Sequence, residues 1–325
     1  MLTANPPEQA KINIEKYLSA IASLDNLSKT RIHAFIDYTL GFDSNINSAT
    51  SSTNVAAPGL GVIFNLDSDA IKISDKFHLL TGGLDFAKPI SSSFSLIGSA
   101  KVSQRINWDE SQFNLANLDL NIGFAKSYKN DLWSLSLSNN DLTLDSKRFR
   151  HAYGVNGQWQ HNLSNFSQLS LYGQLNRIAF PNQETRDANR AVLGAGYARV
   201  FDAKLKPLVY FGIFGGEENT IDNNFDFLGF DLFGLRLGGQ VSVNPRLDLS
   251  ISSSFENRQH HESDPAFLIT RHDKQYDLNL GMRYLLLPTL VLSSNLGYTK
   301  NTTNYDISDY ERTILTFALR KDFNW

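Results

Sequence analysis

The chain has 325 residues, a formal net charge of −3 and no cysteine. Disulfides and thiolate metal sites are thereby excluded, and the charge disfavours nucleic acid, whose binders present a basic face. Hydrophobic residues make up 42% of the chain, yet no apolar run approaches the ~18 residues that a membrane-spanning helix needs. The apolar residues instead alternate with polar ones, the weak per-segment signature of a transmembrane barrel.

Residues 1–10, MLTANPPEQA, lack the basic, apolar and small-residue order of an export signal. The expectation is a removed signal or the C-terminal part of a longer protein. Pro6 and Pro7 suit a first helical turn, and Ile14, Tyr17, Leu18 and Ile21 recur at helical spacing. Residues 1–30 are therefore expected to form a short N-terminal α-helix and linker, either the tail of an upstream periplasmic helical domain or a plug for the periplasmic mouth. Residues 31–325 are expected to form the barrel.

From Arg31 the period changes to two. Ala34, Ile36, Tyr38, Leu40 and Phe42 alternate with His33, Asp37, Thr39, Gly41 and Asp43, which places one set on each face of a strand. A long polar loop follows, in which Leu60, Val62 and Phe64 alternate too and predict an extension of one strand beyond the membrane. Further strands are predicted at 76–86, 93–105 (Phe94, Leu96, Ala100, Val102), around Leu118–Phe124, and at Trp133, Leu135 and Leu137. The second half continues through Tyr153–Trp159, Leu169–Leu175, Ala191–Tyr197, 208–215, Phe233–Val241, Leu247–Phe255, Tyr276–Tyr284 and Leu290–Tyr298. Residues 208–215 are apolar on both faces and cannot be oriented.

The last stretch, YERTILTFALRKDFNW, sets Leu315, Phe317, Leu319, Lys321, Phe323 and Trp325 against Thr316, Ala318, Arg320, Asp322 and Asn324. It brings the count to about fourteen, an even number as bacterial single-chain barrels have. Short turns at residues 87–89, 129–131, 161–163, 202–204, 244–245 and 287–288 alternate with longer polar loops, so the short turns and both termini belong on the periplasmic side. Trp133, Trp159 and Trp325 fall near that end and read as an aromatic girdle. Phe317, Leu319, Phe323 and Trp325 resemble the terminal signal read by the barrel-assembly machinery. The fold class is thus an all-β, antiparallel transmembrane β-barrel in the bacterial outer membrane, with lipid as its first partner.

Residues 40–47, LGFDSNIN, contain Gly41, Phe42, Asp43, Ser44, Asn45 and Asn47. This run resembles a motif of the surface lipoprotein assembly modifier family and related outer-membrane barrels. The resemblance implies a fourteen-stranded barrel preceded by periplasmic tetratricopeptide helices, and a role in bringing lipoproteins to the cell surface. It also implies a lipoprotein client and a periplasmic helical-repeat domain as partners. Read from the residues alone, Asp43, Asn45 and Asn47 form turn hydrogen bonds at a strand end.

Chemistry is sparse. His260, His261, Glu262, Asp264 and His272 are expected in a solvated loop after the eleventh strand, in no standard ligand spacing. Glu217, Glu218, Asp222 and Asp226 form an acidic run without calcium-loop order. No serine, histidine and carboxylate set has persuasive spacing, so the expectation is a protein that is not an enzyme and takes no cofactor. Asp37, Asp119, Asp248 and Asp277 mix with Arg190, Arg236, Arg283 and Arg320 on the inferred lumen face. A lumen in which opposite charges pair across the wall is one reading, and a selective channel the other. The functions that follow are assistance to the translocation or surface display of a protein client or, alternatively, a porin-like channel for small solutes.

Overall fold

The computed structural model describes residues 29–325; the expected N-terminal helix lies outside them. Fourteen long strands form one closed antiparallel barrel. They are β1 (Arg31–Asp43), β4 (Asp75–Pro89), β5 (Phe94–Asn107), β6 (Leu115–Tyr128), β7 (Asp131–Leu144), β8 (Lys147–Ser164) and β9 (Ser167–Ala179), then β10 (Ala188–Val200), β11 (Leu208–Thr220), β12 (Phe230–Asn244), β13 (Leu247–Asp264), β14 (Ile269–Leu287), β15 (Leu290–Thr303) and β16 (Tyr310–Asn324). A separate hairpin, β2 (Asn54–Ala57) and β3 (Val62–Asn65), lies in the first loop. Each predicted strand corresponds to one barrel strand. The 60–64 alternation belongs to that hairpin, not to an extension of a wall strand, because a turn at Pro58–Leu60 with Gly61 at φ 67° folds the chain back.

Closure alone removes the unpaired edges of a sheet. Here β1 pairs with β16 from His33↔Asn324 to Asp43↔Ile314. Trp325 completes the seam by exchanging backbone hydrogen bonds with Ile32 (3.2 and 2.9 Å). Phe317, Leu319, Phe323 and Trp325 all lie on the exposed outer face of β16. The neighbouring Lys321, whose place in the apolar series the sequence leaves unexplained, donates to Thr289 Oγ1 at 2.6 Å in the adjacent turn.

The two-residue period sorts the faces as expected. Leu120, Leu249, Leu280 and Leu292 are exposed on the outer wall. Asp37, Ser252, Asp277 and Asn279 are buried inside. The ambiguous strand β11 resolves into an outer row of Val209, Phe211 and Ile213 and an inner row of Leu208, Tyr210 and Phe214. Its inner aromatics are possible because glycines face them across the ladder. Tyr210 lies on Gly238 and Phe214 on Gly234, and the same arrangement holds for Phe77 on Gly41, Phe35 on Gly83 and Tyr172 on Gly194. Each ring takes the space a cross-strand side chain would occupy, and a methyl added at any of these glycines would collide with it.

The expected alternation of short turns with long loops fails at three places, one of them the β10–β11 connection, which spans residues 201–207 where a short turn is expected. The β7–β8 connection is only Asp145–Ser146, both in the left-handed region at φ 50° and 61°, the conformation of a tight hairpin turn. The β13–β14 connection spans only residues 265–268. In these two hairpins the chain that a loop would occupy is strand: β8, β13 and β14 have 18, 18 and 19 residues, against 13–15 in the other barrel strands. At the periplasmic end Trp133 and Trp159 pair across β7 and β8 with rings 5.7 Å apart, and Trp159 Nε1 donates to Asp131. The fourth tryptophan, Trp108, stacks on His78 at the opposite end.

Candidate lumen site

The first loop begins where β1 ends, and its backbone does not leave the protein. Residues 45–50 are all buried. Asp43, fully buried, accepts from Arg105 Nη1 of β5 at 2.9 Å and from Arg312 Nε of β16 at 3.0 Å. Its Oδ1 also accepts the Asn45 backbone N–H at 3.0 Å. Both arginines are largely covered, and Arg105 lies 3.9 Å from the Phe77 ring centroid. A charge taken out of water survives only when paired and fully hydrogen-bonded. One carboxylate on β1 here holds its neighbour β16 and, across β4, strand β5.

The rest of the motif fastens the loop. Ser44 N donates to Thr313 O, and Thr313 N donates back to Ser44 Oγ. Asn45 Nδ2 donates to Ala49 O at 2.8 Å and Glu311 O at 3.0 Å, while its Oδ1 accepts from Ala49 N. Asn47 Nδ2 reaches Asp69 O and Ile71 O, on the returning arm of the same loop. Gly41 is the seat of the Phe77 ring, and Phe42 faces outward. Of the turn hydrogen bonds expected of Asp43, Asn45 and Asn47, those of Asp43 and Asn45 are present, whereas the Asn47 side chain bonds only the far arm of the loop. Farther out, Gly59 N donates to Ala266 O at the β13–β14 tip, so the loop spans the tops of β16 and β15.

The predicted lumen residues all face inward, but their charges seldom pair across the wall. Asp37 accepts from Thr39 Oγ1, and Asp119 from Asn117 and Asn140. Asp277 accepts from Ser254, Gln275 and Thr299. Arg320 bonds Asp322 on its own strand and covers the Phe35 ring. Asp248 and Arg283 do meet, at 3.5 Å, with Ser242 also donating to Asp248. Arg190 lies 3.6 Å from Glu218. Arg236 rests on the Phe214 ring, 4.4 Å from its centroid.

Sequence reasoning missed the Asp43–Arg105–Arg312 cluster, whose members are 62 and 269 positions apart. It also missed Glu256–Arg258 and Arg271–Asp273, each a pair two residues apart on one strand face. A basic and an acidic residue at i and i+2 on the inward set was the signal that would have found these.

The histidine group is a correction. His260 to Asp264 lie in β13 and His272 in β14, not in a solvated loop. The register slips between Gln259 and Ser263, and His260 is buried, its Nδ1 2.9 Å from Phe227 O and its Nε2 3.8 Å from Asp273. His261 Nδ1 lies 3.1 Å from Asp226 Oδ1. Together they bind the β11–β12 loop to β13. Among the described residues, no three His, Asp or Glu gather as metal ligands. Nearby, Tyr305 donates to Asp264 at 2.9 Å, and burial together with that bond pushes its hydroxyl above the usual tyrosine range.

A closed fourteen-strand antiparallel barrel with an apolar outer wall and a polar interior is a bacterial outer-membrane barrel. The family described as Surface lipoprotein assembly modifier (SlipAM) matches residues 36–323, and the chain belongs to it. No curated protein matches the chain. Similar solved structures include a Pseudomonas aeruginosa FadL homologue (11% identical, covering 91% of this chain and 90% of that one, TM-score 0.45). Others are the P. putida toluene transporter TodX (10%, 93% and 92%, TM-score 0.47) and OmpT, an outer membrane protein of Vibrio cholerae (9%, 92% and 98%, TM-score 0.49).

Proposed function

We propose that this barrel assists the translocation or surface display of a lipoprotein, without catalysing a reaction. The observation that carries the reading is family membership over residues 36–323. On this reading the barrel-assembly machinery inserts the chain through the β16 face bearing Phe317, Leu319, Phe323 and Trp325. Residues 1–30 join it to a periplasmic helical-repeat partner. The motif residues Gly41 to Asn47 hold the first loop folded against the lumen wall when no client is present.

The test is surface display. In cells lacking the chain, antibody-accessible lipoprotein should fall while total lipoprotein stays constant, and re-expression should restore it. The alternative, a porin-like channel for small solutes, predicts steady conductance of the purified protein in planar bilayers. Unchanged lipoprotein display together with such conductance overturns the proposal.

A further inference from the structure

The inner wall of β8–β12 gathers more positive charge than its own carboxylates answer. Arg150 of β8, Arg190 of β10 and Arg236 of β12 point into the lumen, and Arg186 comes from the β9–β10 loop beside them. Arg150 and Arg190 stand close enough to repel each other, as do Arg186 and Arg150, while Arg190 and Arg236 both act on Glu256. Glu256 is already bonded to Arg258. Asp119, the other acid near Arg150, is held by two asparagines. Glu218 is left to answer the group: it lies 3.6 Å from Arg190 and also attracts Arg150 and Arg186, one carboxylate against three guanidinium groups.

The remaining contacts of these arginines are neutral. Arg150 Nη2 donates to Asn140 Oδ1 at 2.9 Å, and its buried Nε has no hydrogen-bond partner. Arg186 donates to Gln183 and lies 4.3 Å from the Phe180 ring centroid, as Arg236 lies on Phe214. A guanidinium lying on a ring is attracted through its face and keeps its N–H edge for an acceptor. The free edge of Arg186, the unpartnered Nε of Arg150 and the guanidinium of Arg190 are donors of the kind that a phosphate group takes with charge-assisted bonds.

We propose that Arg150, Arg186 and Arg190 form a lumenal binding site for a multiply charged phosphate-type anion, on the β8–β10 wall. The site is independent of the client: it rests on charge and geometry, not on the family.

The experiment uses the full chain in an uncharged detergent at low ionic strength, titrated calorimetrically with inorganic pyrophosphate and separately with dihexanoyl phosphatidate. One-site saturable binding is expected for the phosphate group. Equal affinity for the two probes assigns a free anion as the natural ligand, and tighter phosphatidate binding a lipid headgroup. The double variant Arg150→Gln/Arg190→Gln should bind at least about tenfold more weakly, since each charge-assisted bond contributes about 1.5–3 kcal/mol. Arg283→Gln, at the other end of the lumen, should bind within about twofold of the parent. Heat-modifiable migration on gels establishes that each variant is folded. Arg150→Lys/Arg190→Lys keeps the charge and should recover part of the affinity, which separates lost binding from lost packing. No saturable binding of either probe, or an equal loss in Arg283→Gln, overturns the proposal.

Discussion

Two walls of the same lumen treat arginine in opposite ways. On the β1–β5–β16 side, Arg105 and Arg312 converge on the fully buried Asp43 and their charge is consumed. On the β8–β12 side, Arg150, Arg186 and Arg236 rest on amides and rings, and Arg190 meets one carboxylate at a distance. The first arrangement is a structural joint, since every strong donor is directed at the protein itself. The second leaves donors facing the interior space. The contrast shows that a count of lumen charges says little until each has been traced to its partner.

The comparison is broken most severely at the joint. Asp43→Asn would leave two largely buried guanidinium groups without their counter-ion, and removal of one partner from such a set costs about 3–5 kcal/mol. Denaturant unfolding in lipid bilayers should register that loss, and protease should gain access to residues 45–50. A cost below about 1 kcal/mol would mean that the two walls do not differ.

Next in size is the inner face against the outer. Leu280→Arg on the lipid face should cost about 2–4 kcal/mol near the midplane, while Ser250→Arg on the lumen face should cost less. Equal losses in the same unfolding assay would contradict the assigned register. Asn279, a lumen position that sequence alone would judge equally tolerant, is buried and packs beside Gly297. Ser250 is therefore the cleaner partner.

The third prediction concerns what the two walls share. Gly41→Ala collides with Phe77 on one wall and Gly194→Ala with Tyr172 on the other. Overpacking of this kind costs about 1–3 kcal/mol, and the two variants should fall by similar amounts. A large inequality would show that one ring gives way.

The smallest effect is expected at Arg190→Gln. Its ion pair with Glu218 is long and partly exposed to the lumen, and such pairs contribute about 0–1 kcal/mol. Little change in stability, set beside the loss for Asp43→Asn, completes the contrast between the walls.

Period-two alternation exposed all fourteen barrel strands because lipid outside and polar side chains inside impose opposite chemistry on neighbouring residues. It located β11 without orienting it, because both of its faces are apolar. The missing information was the glycine opposite each inner aromatic, Gly238 for Tyr210 and Gly234 for Phe214, which lies on another strand. Loop lengths were misread for β7–β8 because the strand residues beside that turn are as polar as loop residues. Of the candidate site, Arg105, Arg150, Arg186 and Arg312 were not singled out, while the motif 40–47 was visible as a local run and Arg190, Arg236, Arg283 and Arg320 as inward residues. Their partners were not, since Asp43 meets residues 62 and 269 positions away.

That separation has a consequence for the order of events in barrel formation. Arg312 belongs to the last strand, which joins β1 only when the cylinder closes. Until then Asp43 has Arg105 as its single cationic partner, and Ser44 and Asn45 have none of their β16 acceptors and donors. The first loop therefore acquires its final seat after the final strand arrives, although it leaves the ribosome hundreds of residues earlier. Its protection from cleavage is a clock for the completion of the ring.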